Sequence, residues 1–451
     1  MRKLYSLLAL SAALLAHPAA AAGGDAHSSE ALAIITDLTT DVGQRLGGTD
    51  REAAARDWAV ARLRALGFAN VRAEPFPIAG WVRGEEKAAI TAPVPQKLAV
   101  TALGYSGATP PQGVTGELVY FPTLDALKLA PEGSLRGKIA FVDHAMKAAQ
   151  DGGGYGPFGA ARRQGPSIAA AKGASALLIR SIGTDHARSP HTGVTRMPPK
   201  GEPLPSGAVS NPDADLIARL AAKGQPLTAS VTLTPRFTGQ VMSGNVIAEL
   251  PGRDPKLAPI LVACHLDSWD LGQGAIDDAS GCGIITAAAL EASRSGQLAR
   301  TIRVLWAGTE EMGGFGGQAY AKAHGNEPHA LVMESDTGAD RVFRFLFRMA
   351  PQDKPLAERI GAELAKMGIY TGEGTPEGGE DVGYIAEKQK LAVIDLNQDM
   401  TRYFDWHHTP DDTLDKIDPV QLQQNVDAWA AVLKILGSYT GTINPAGNPA
   451  E

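Results

Sequence analysis

Residues 263–281 read ACHLDSWDLGQGAIDDASG. In them one histidine, His265, and four acids, Asp267, Asp270, Asp277 and Asp278, follow an apolar run that begins at Ala258. In an open sheet with helices on both faces, ligands gather outside the carboxyl ends of the strands. The stretch therefore reads as a strand, APILVAC (258–264), delivering His265 and Asp267 to such an edge. Gly272, Gly274 and Gly281 let the backbone turn back sharply enough to return Asp277 to the same place. A strained or cis peptide after Asp277 is an expectation of that turn.

The pattern repeats downstream. TIRVLWAG (301–308), HALVMES (329–335) and KLAVIDL (390–396) are further apolar strands separated by helical segments, the texture of a three-layer αβα domain with helices on both faces of a mixed sheet. Their ends deliver Glu310 and Glu311 in VLWAGTEEMGG and Glu334 and Asp336 in LVMESDTG; FDWHHTPDDTLDKID adds His407 and His408. One aspartate after a strand is an ordinary cap or turn former. Five charged segments on one sheet edge repel one another unless a cation lies among them. Imidazole with carboxylate suits zinc, ahead of cobalt and manganese. The number of donors implies two ions, since a pair roughly 3.5 to 4 Å apart needs a bridging carboxylate, two terminal ligands on each ion and a free carboxylate for the proton of the attacking water.

The rest of the chain sets the context. Residues 1–22 carry Arg2 and Lys3, an apolar block and the small-residue run Ala19–Ala22, which reads as a secretory signal peptide. An exported protein, periplasmic or secreted, is expected, and no later run reaches the roughly 18 apolar residues of a membrane span. Residues 23–95 read as the N-terminal part of the catalytic domain, with Ala55, Ala59, Leu63 and Leu66 as a helical stripe, Gly67 as its stop and VRAEPF as a short strand. Between 96 and 236, short strands such as GELVYF, GKIAFVD, SALLIRS and ASVTLT alternate with two helices and Gly- and Pro-rich loops, the texture of an inserted module. Residues 237–445 form the main part of the catalytic domain. A net charge of −7 without a basic run argues against a nucleic-acid partner. The two cysteines, Cys264 and Cys282, could form one bridge, but the apolar setting of each favours free, buried thiols. DGGGYGPFG (151–159) lacks the GK[ST] ending of a phosphate loop and reads as a flexible loop.

HLDSWDLGQGAIDDASG, GTEEMGG, ESDTG and HHTPDDTLD together resemble the co-catalytic zinc exopeptidases, the superfamily of zinc aminopeptidases and glutamate carboxypeptidases. The resemblance spans the mature chain and implies that the inserted module, through GKIAFVD and AAKGASALLI, is a protease-associated domain. It implies two zinc ions: His265 and Asp336 as terminal ligands of one, Glu311 and His408 of the other, and Asp277 as the bridge. Asp267 would orient the His265 ring, and Glu310 would be the general base. His407 takes the place of a tyrosine that stabilises an oxyanion in related enzymes; it would donate to the same place or simply pack. Asp278 reads as a hydrogen-bonding neighbour of the turn, Glu334 as a structural partner, and Asp412 as an orienter of His408 or a helix cap.

The implied reaction is hydrolysis of small peptides, chiefly dipeptides, by a dipeptidase or carboxypeptidase, with an aminopeptidase that releases N-terminal residues from longer peptides as the alternative and a homodimer as a possible assembly. A metal-free binding protein on the same fold is the third reading, and the intact ligand set argues against it. Free peptide ends need a cation or amide donors and an acid or carbonyl. Arg402, Asn397 and the backbone at Gly378 and Gly379 are candidates, with a surface ion pair to Asp399 or Asp405 the competing role for Arg402. His144, His186, His191, His324 and His329 read as surface or loop residues, although the loop of His186 and His191 could overhang the cleft.

Overall fold

The computed structural model describes residues 28–294 and 296–447. The expected signal peptide lies outside them. Two eight-stranded sheets organise the chain. The first runs, in spatial order, through Ala69–Val82, Arg236–Leu250, Ile302–Ala307, Ile260–His265, Leu331–Glu334, Ala392–Gln398, Val342–Arg348 and Tyr370–Thr371. The strands 302–307, 260–265, 331–334 and 392–398 are mutually parallel, so their carboxyl ends share one edge. Antiparallel pairs flank them, which makes the sheet mixed.

Strand alternation assigns each side chain to one of two cores. Ile260, Val262 and Cys264 face the helices Ser28–Asp37, Ser280–Ser293 and Pro419–Ser438, whereas Leu261 and Ala263 face Phe315–His324 and Glu380–Gln389. The strand 260–265 is buried at every position, as expected when helices cover both faces. Each fully buried aliphatic side chain in these layers contributes roughly 1.5–3 kcal/mol relative to exposure. The helix Asp50–Ala65 starts at Thr49, whose side chain accepts from the Glu52 N–H, and buries Ala55, Ala59 and Leu63, the expected stripe. Gly67, at φ +87°, follows its end. The strand expected as VRAEPF is longer, Ala69–Val82, because it pairs along its length with Arg236–Leu250.

The second sheet is also mixed. Its strands lie between Glu86 and Leu233 and flank the helices Tyr155–Ala171 and Asn211–Ala221. Among the described residues no helix is long and apolar enough to cross a membrane.

One expectation is overturned. Cys264 and Cys282 form a disulfide, with Cα atoms 5.1 Å apart. The turn through Asp277 brings the first turn of helix Ser280–Ser293 back against the end of strand 260–265. The apolar surroundings that favour a buried thiol also shield a bridge.

Candidate metal centre

The ligand edge is built by short excursions after the parallel strands. His265 is the last residue of its strand, and the Asp277–Asp278 peptide is cis, as expected from the turn. Asp278 braces that turn: its Oδ2 accepts from the His265 N–H at 3.1 Å and its Oδ1 from the Gly281 N–H at 2.8 Å. Asp412 has neither role expected of it. Its Oδ1 accepts from the N–H groups of Ala275 and Ile276, both at 2.7 Å, and so supports the loop that presents Asp277.

The side chains converge. His265 Nε2 lies 3.1 Å from Asp277 Oδ1 and 3.1 Å from Asp336 Oδ1. His408 Nε2 lies 2.8 Å from Glu311 Oε2 and 3.3 Å from Asp277 Oδ2. The donor atoms of His265, Asp277 and Glu311 all fall within 4.8 Å of one another, as do those of His265, Glu310 and Asp336. His265, Asp277, Glu311 and His408 are buried; Glu310 and Asp336 are half-buried beside the cleft.

The ring orientations follow from hydrogen bonds on the far nitrogens. His265 Nδ1 donates to the backbone carbonyl of Asp267 at 3.0 Å, while the Asp267 carboxylate stands 3.7 Å away and accepts from the Glu310 N–H at 3.0 Å. Asp267 thus holds Glu310 more directly than it holds His265. His408 Nδ1 faces the carbonyl of Thr192 at 3.3 Å. His407 stacks on His408, ring centroids 3.4 Å apart, with its Nε2 3.7 Å from Asp277 Oδ2.

The electrostatics call for a cation. Burial, then like-charged neighbours, push Glu310 and Glu311 well above the usual carboxylate range. Burial pushes Asp277 the same way, but the hydrogen-bonded His265 ring and the adjacent His408 and His407 rings hold it well below. Burial opposes protonation of His265, yet Asp336 and Asp277 raise it well above its ordinary value. Asp277 Oδ2, Glu311 Oε1 and Asp267 Oδ2 are buried with no hydrogen-bond partner. Orphaned carboxylate oxygens aimed inward among imidazoles are the donors a divalent ion takes up, and they fit one.

The cluster opens into a cleft of about 1140 Å³. Asn397 and Gly379 line it, with Asn397 Oδ1 accepting from Arg344 at 2.9 Å. Gly379 has φ +105°, and a Cβ there would lie 2.1 Å from the Glu334 carboxyl carbon. Glu334 is structural as expected, accepting from the Val382 N–H at 2.9 Å. Arg402 is not among the lining residues. It forms a two-pronged ion pair with Asp340 at 2.5 and 2.9 Å, a partner other than the two acids considered. His324 and His329 are buried in a network with Glu74, Glu327 and Tyr320, and are not surface residues.

Sequence reasoning missed Arg45, Thr192 and Arg162, and had His191 only as part of a loop that could overhang the cleft. Arg45, fully buried, donates to the carbonyls of Leu266, Gln273 and Gly274 at 2.5, 2.6 and 2.9 Å and so ties together the loop quoted at the outset. His191 and Thr192 reach the His407–His408 turn from the second sheet, and Arg162 enters the cleft wall from the helix Tyr155–Ala171. No spacing in the chain marks them, because each acts across more than 200 residues.

Imidazole and carboxylate donors on the carboxyl edge of a three-layer sheet, opening into a cleft, define a candidate metal centre suited to hydrolytic chemistry. The model of peptidase family M28 matches residues 245–433. Carboxypeptidase Q from Bos taurus is 32% identical over 419 residues, covering 90% of this chain and 84% of its own. The human carboxypeptidase Q is 32% identical over 414 residues with the same coverage. Among solved structures, a peptidase M28 precursor from Shewanella amazonensis SB2B is 41% identical with a TM-score of 0.90, covering 93% of this chain and 96% of that one. A zinc aminopeptidase from Bacillus subtilis shares the fold at 17% identity, TM-score 0.66, covering 93% and 97%. The chain belongs to peptidase family M28.

Proposed function

We propose that the chain is an exported exopeptidase that holds two zinc ions and hydrolyses small peptides, dipeptides first among them. The observation that carries this reading is Asp277, whose Oδ1 faces His265 while its Oδ2 faces His408, so that one carboxylate offers an oxygen to each half of the donor set. His265 and Asp336 are assigned to one zinc, Glu311 and His408 to the other, and Asp277 to both. With both cysteines in a bridge, the donors are nitrogen and oxygen only, which suits zinc.

Bound zinc supplies Lewis-acid polarisation of the scissile carbonyl and lowers the pKa of water. Glu310 takes the proton of the attacking water and returns it to the leaving amine. Asp267 keeps that carboxylate in place through the Glu310 N–H. His407, in the cleft wall, donates to the developing oxyanion. The leader-like residues 1–22 and the disulfide support export into an oxidising compartment. The carboxypeptidase Q relatives support the choice of peptide ends over chain interiors. The strands between Glu86 and Leu233 are read as an inserted protease-associated domain, and a homodimer is the assembly that the family resemblance suggests.

Elemental analysis and a cleavage assay test the reading together. Two zinc ions per chain are expected. Glu310→Gln should keep both and lose nearly all turnover, while Asp277→Ala should empty the site. Full activity in zinc-loaded Glu310→Gln would remove Glu310 from its role. One dipeptide offered free, amino-acetylated, carboxyl-amidated and carboxyl-extended separates the specificities: cleavage of the free form alone marks a dipeptidase, and cleavage of the amidated and extended forms marks an aminopeptidase.

A further inference from the structure

The loop that carries Glu310 and Glu311 leaves the strand Ile302–Ala307 at Gly308 and ends at Gly316, the second residue of the helix Phe315–His324. Its path is not one that its residues favour. Thr309 has φ +60°, Gly313 +127° and Gly314 +65°. At Thr309, β-branched and 0% exposed, a left-handed conformation persists only where the surroundings impose it. Within the loop, the N–H groups of Gly313 and Gly314 both donate to the Glu310 carbonyl at 2.8 Å, and the Phe315 N–H donates to Thr309 O at 3.3 Å. These bonds fold the loop on itself without tying it to the sheet.

One side chain ties both of its ends. The pairing of Arg236–Leu250 with Ile302–Ala307 runs from Leu250–Ile302 to Val246–Trp306, and Asn245 is the next residue. Its Oδ1 accepts from the Gly308 N–H at 3.0 Å, and its Nδ2 donates to the Gly316 carbonyl at 3.0 Å. Asn245 is buried on the same face of its strand as Ile247, which packs with Tyr320 and Ala321 of that helix. The orientation of the amide is dictated, since only its oxygen can meet an N–H and only its nitrogen a carbonyl. Approach is close on every side. A Cβ at Gly316 would lie 2.6 Å from Asn245 Oδ1 and 2.5 Å from Gly308 O, and one at Gly308 would lie 2.5 Å from Gly244 O, so neither end admits a side chain without displacement.

We propose that Asn245 is a positioning residue for the reaction: by clamping Gly308 to Gly316 it sets Glu310 and Glu311 together, so that the proton acceptor and a metal ligand keep one fixed relation to the rest of the donor set. This rests on the two-zinc peptidase reading above. Glu310 and Glu311 are consecutive, so any shift of the loop moves both. Asp267 holds only the middle, through the Glu310 N–H at 3.0 Å, and a single bond there lets the loop pivot. The clamp at the two ends removes the pivot. A displacement of about 1 Å in a reacting group costs on the order of a hundredfold in rate, and loss of a support behind a metal ligand costs about ten- to a hundredfold in affinity.

Two variants test it. Asn245→Leu keeps the bulk and removes both bonds, and Asn245→Ala removes bulk and bonds alike. In each, kcat for a dipeptide should fall about a hundredfold with KM little changed, because the chemical step rather than binding depends on where Glu310 stands. Dialysis against a chelator should take the ion assigned to Glu311 and His408 first, leaving zinc content nearer one per chain. Hydrogen exchange of the zinc-free protein reads the clamp without activity or metal: the segment 308–316 should exchange about tenfold faster in Asn245→Leu than in the wild type, with the strands 260–265 and 331–334 unchanged. An unaltered kcat in a folded variant overturns the proposal. So do joint loss of both ions and faster exchange throughout the sheet, which would make Asn245 a general brace of the core. Should neither variant fold, the wild type decides: a Gly308 N–H protected like the strand amides supports the clamp, and one that exchanges like an open loop overturns it. If the wild type cleaves nothing, the peptidase reading fails, while the exchange comparison still decides whether Asn245 sets the loop.

Discussion

His191 Nδ1 donates to the carbonyl oxygen of His407 at 2.7 Å, while its Nε2 lies 2.6 Å from Asp185 Oδ2. The loop carrying this pair belongs to the second sheet's module, and it holds the ligand turn at several points. The Thr184 N–H donates to Phe404 O at 3.0 Å, and the Thr192 N–H to His408 O at 3.1 Å. His408 needs such a hold, because its φ of +61° is a left-handed conformation that a non-glycine residue adopts at a cost. His191→Ala should weaken zinc binding about tenfold, at the lower end of what removing an outer partner of a metal ligand costs. Competition against a chelator measures it; unchanged affinity would mean that the remaining backbone bonds suffice.

Arg45 offers a sharper test, because it is 0% exposed and, among the described residues, no other side chain donates to the carbonyls of Leu266, Gln273 and Gly274. Arg45→Met takes the guanidinium from all three carbonyls, of which Gly274 keeps the Ala279 N–H at 3.1 Å, and removes a buried cation that attracts Asp412 and Asp267. Stability should fall by about 3–5 kcal/mol in denaturant titrations, with or without zinc. Arg45→Lys should recover little, since an ammonium cannot fork to several carbonyls.

The strand ends were legible in the chain because a buried parallel strand is a long apolar run and its end is where the run stops; that reading marks the segments, the family resemblance picks His265, Asp277, Glu310, Glu311, Asp336 and His408 within them, and these meet in one place. What supports them was not legible. Arg45, Arg162 and His191 each reach the site from another layer, and a lone arginine or histidine in a Gly-rich loop looks the same whether it meets solvent or a carbonyl 200 residues away. Arg402 takes the competing role considered for it, a surface ion pair, but with Asp340 in place of Asp399 or Asp405, and so stays out of the cleft. Asp412 was placed on the correct turn but given the wrong partner, because its target N–H groups lie more than 130 residues earlier in the chain.

Asp412 also predicts a pH dependence. Burial raises its pKa to about 7, from the ordinary 3.8 of an aspartate. The folded chain therefore keeps a proton that the unfolded chain has already released between those values, so the unfolded state binds fewer protons and stability falls as pH rises through that window. Asp412→Asn retains an oxygen for the Ala275 and Ile276 N–H groups and cannot titrate. The zinc-free variant should lose less stability than the zinc-free wild type between pH 4 and pH 7, by a few kcal/mol at most. Parallel slopes in urea titrations across that range would remove Asp412 as the source.

The Cys264–Cys282 bridge joins the strand that ends in His265 to the helix that begins just after Asp277 and Asp278, so it closes the loop carrying a terminal ligand and the bridging one. Both cysteines are 0% exposed. In the chain-entropy account, a link across 18 residues adds about 3 kcal/mol by restricting the unfolded chain. The double variant Cys264→Ala with Cys282→Ala should lose about that much stability, with zinc affinity falling as well because His265 and Asp277 lose their shared brace. Alkylation of the unreduced, denatured protein followed by mass measurement should find no free thiol. Two alkylated cysteines would restore the free, buried thiols that the apolar sequence around them favours, and would leave the loop braced by Arg45, Asp278 and Asp412 alone.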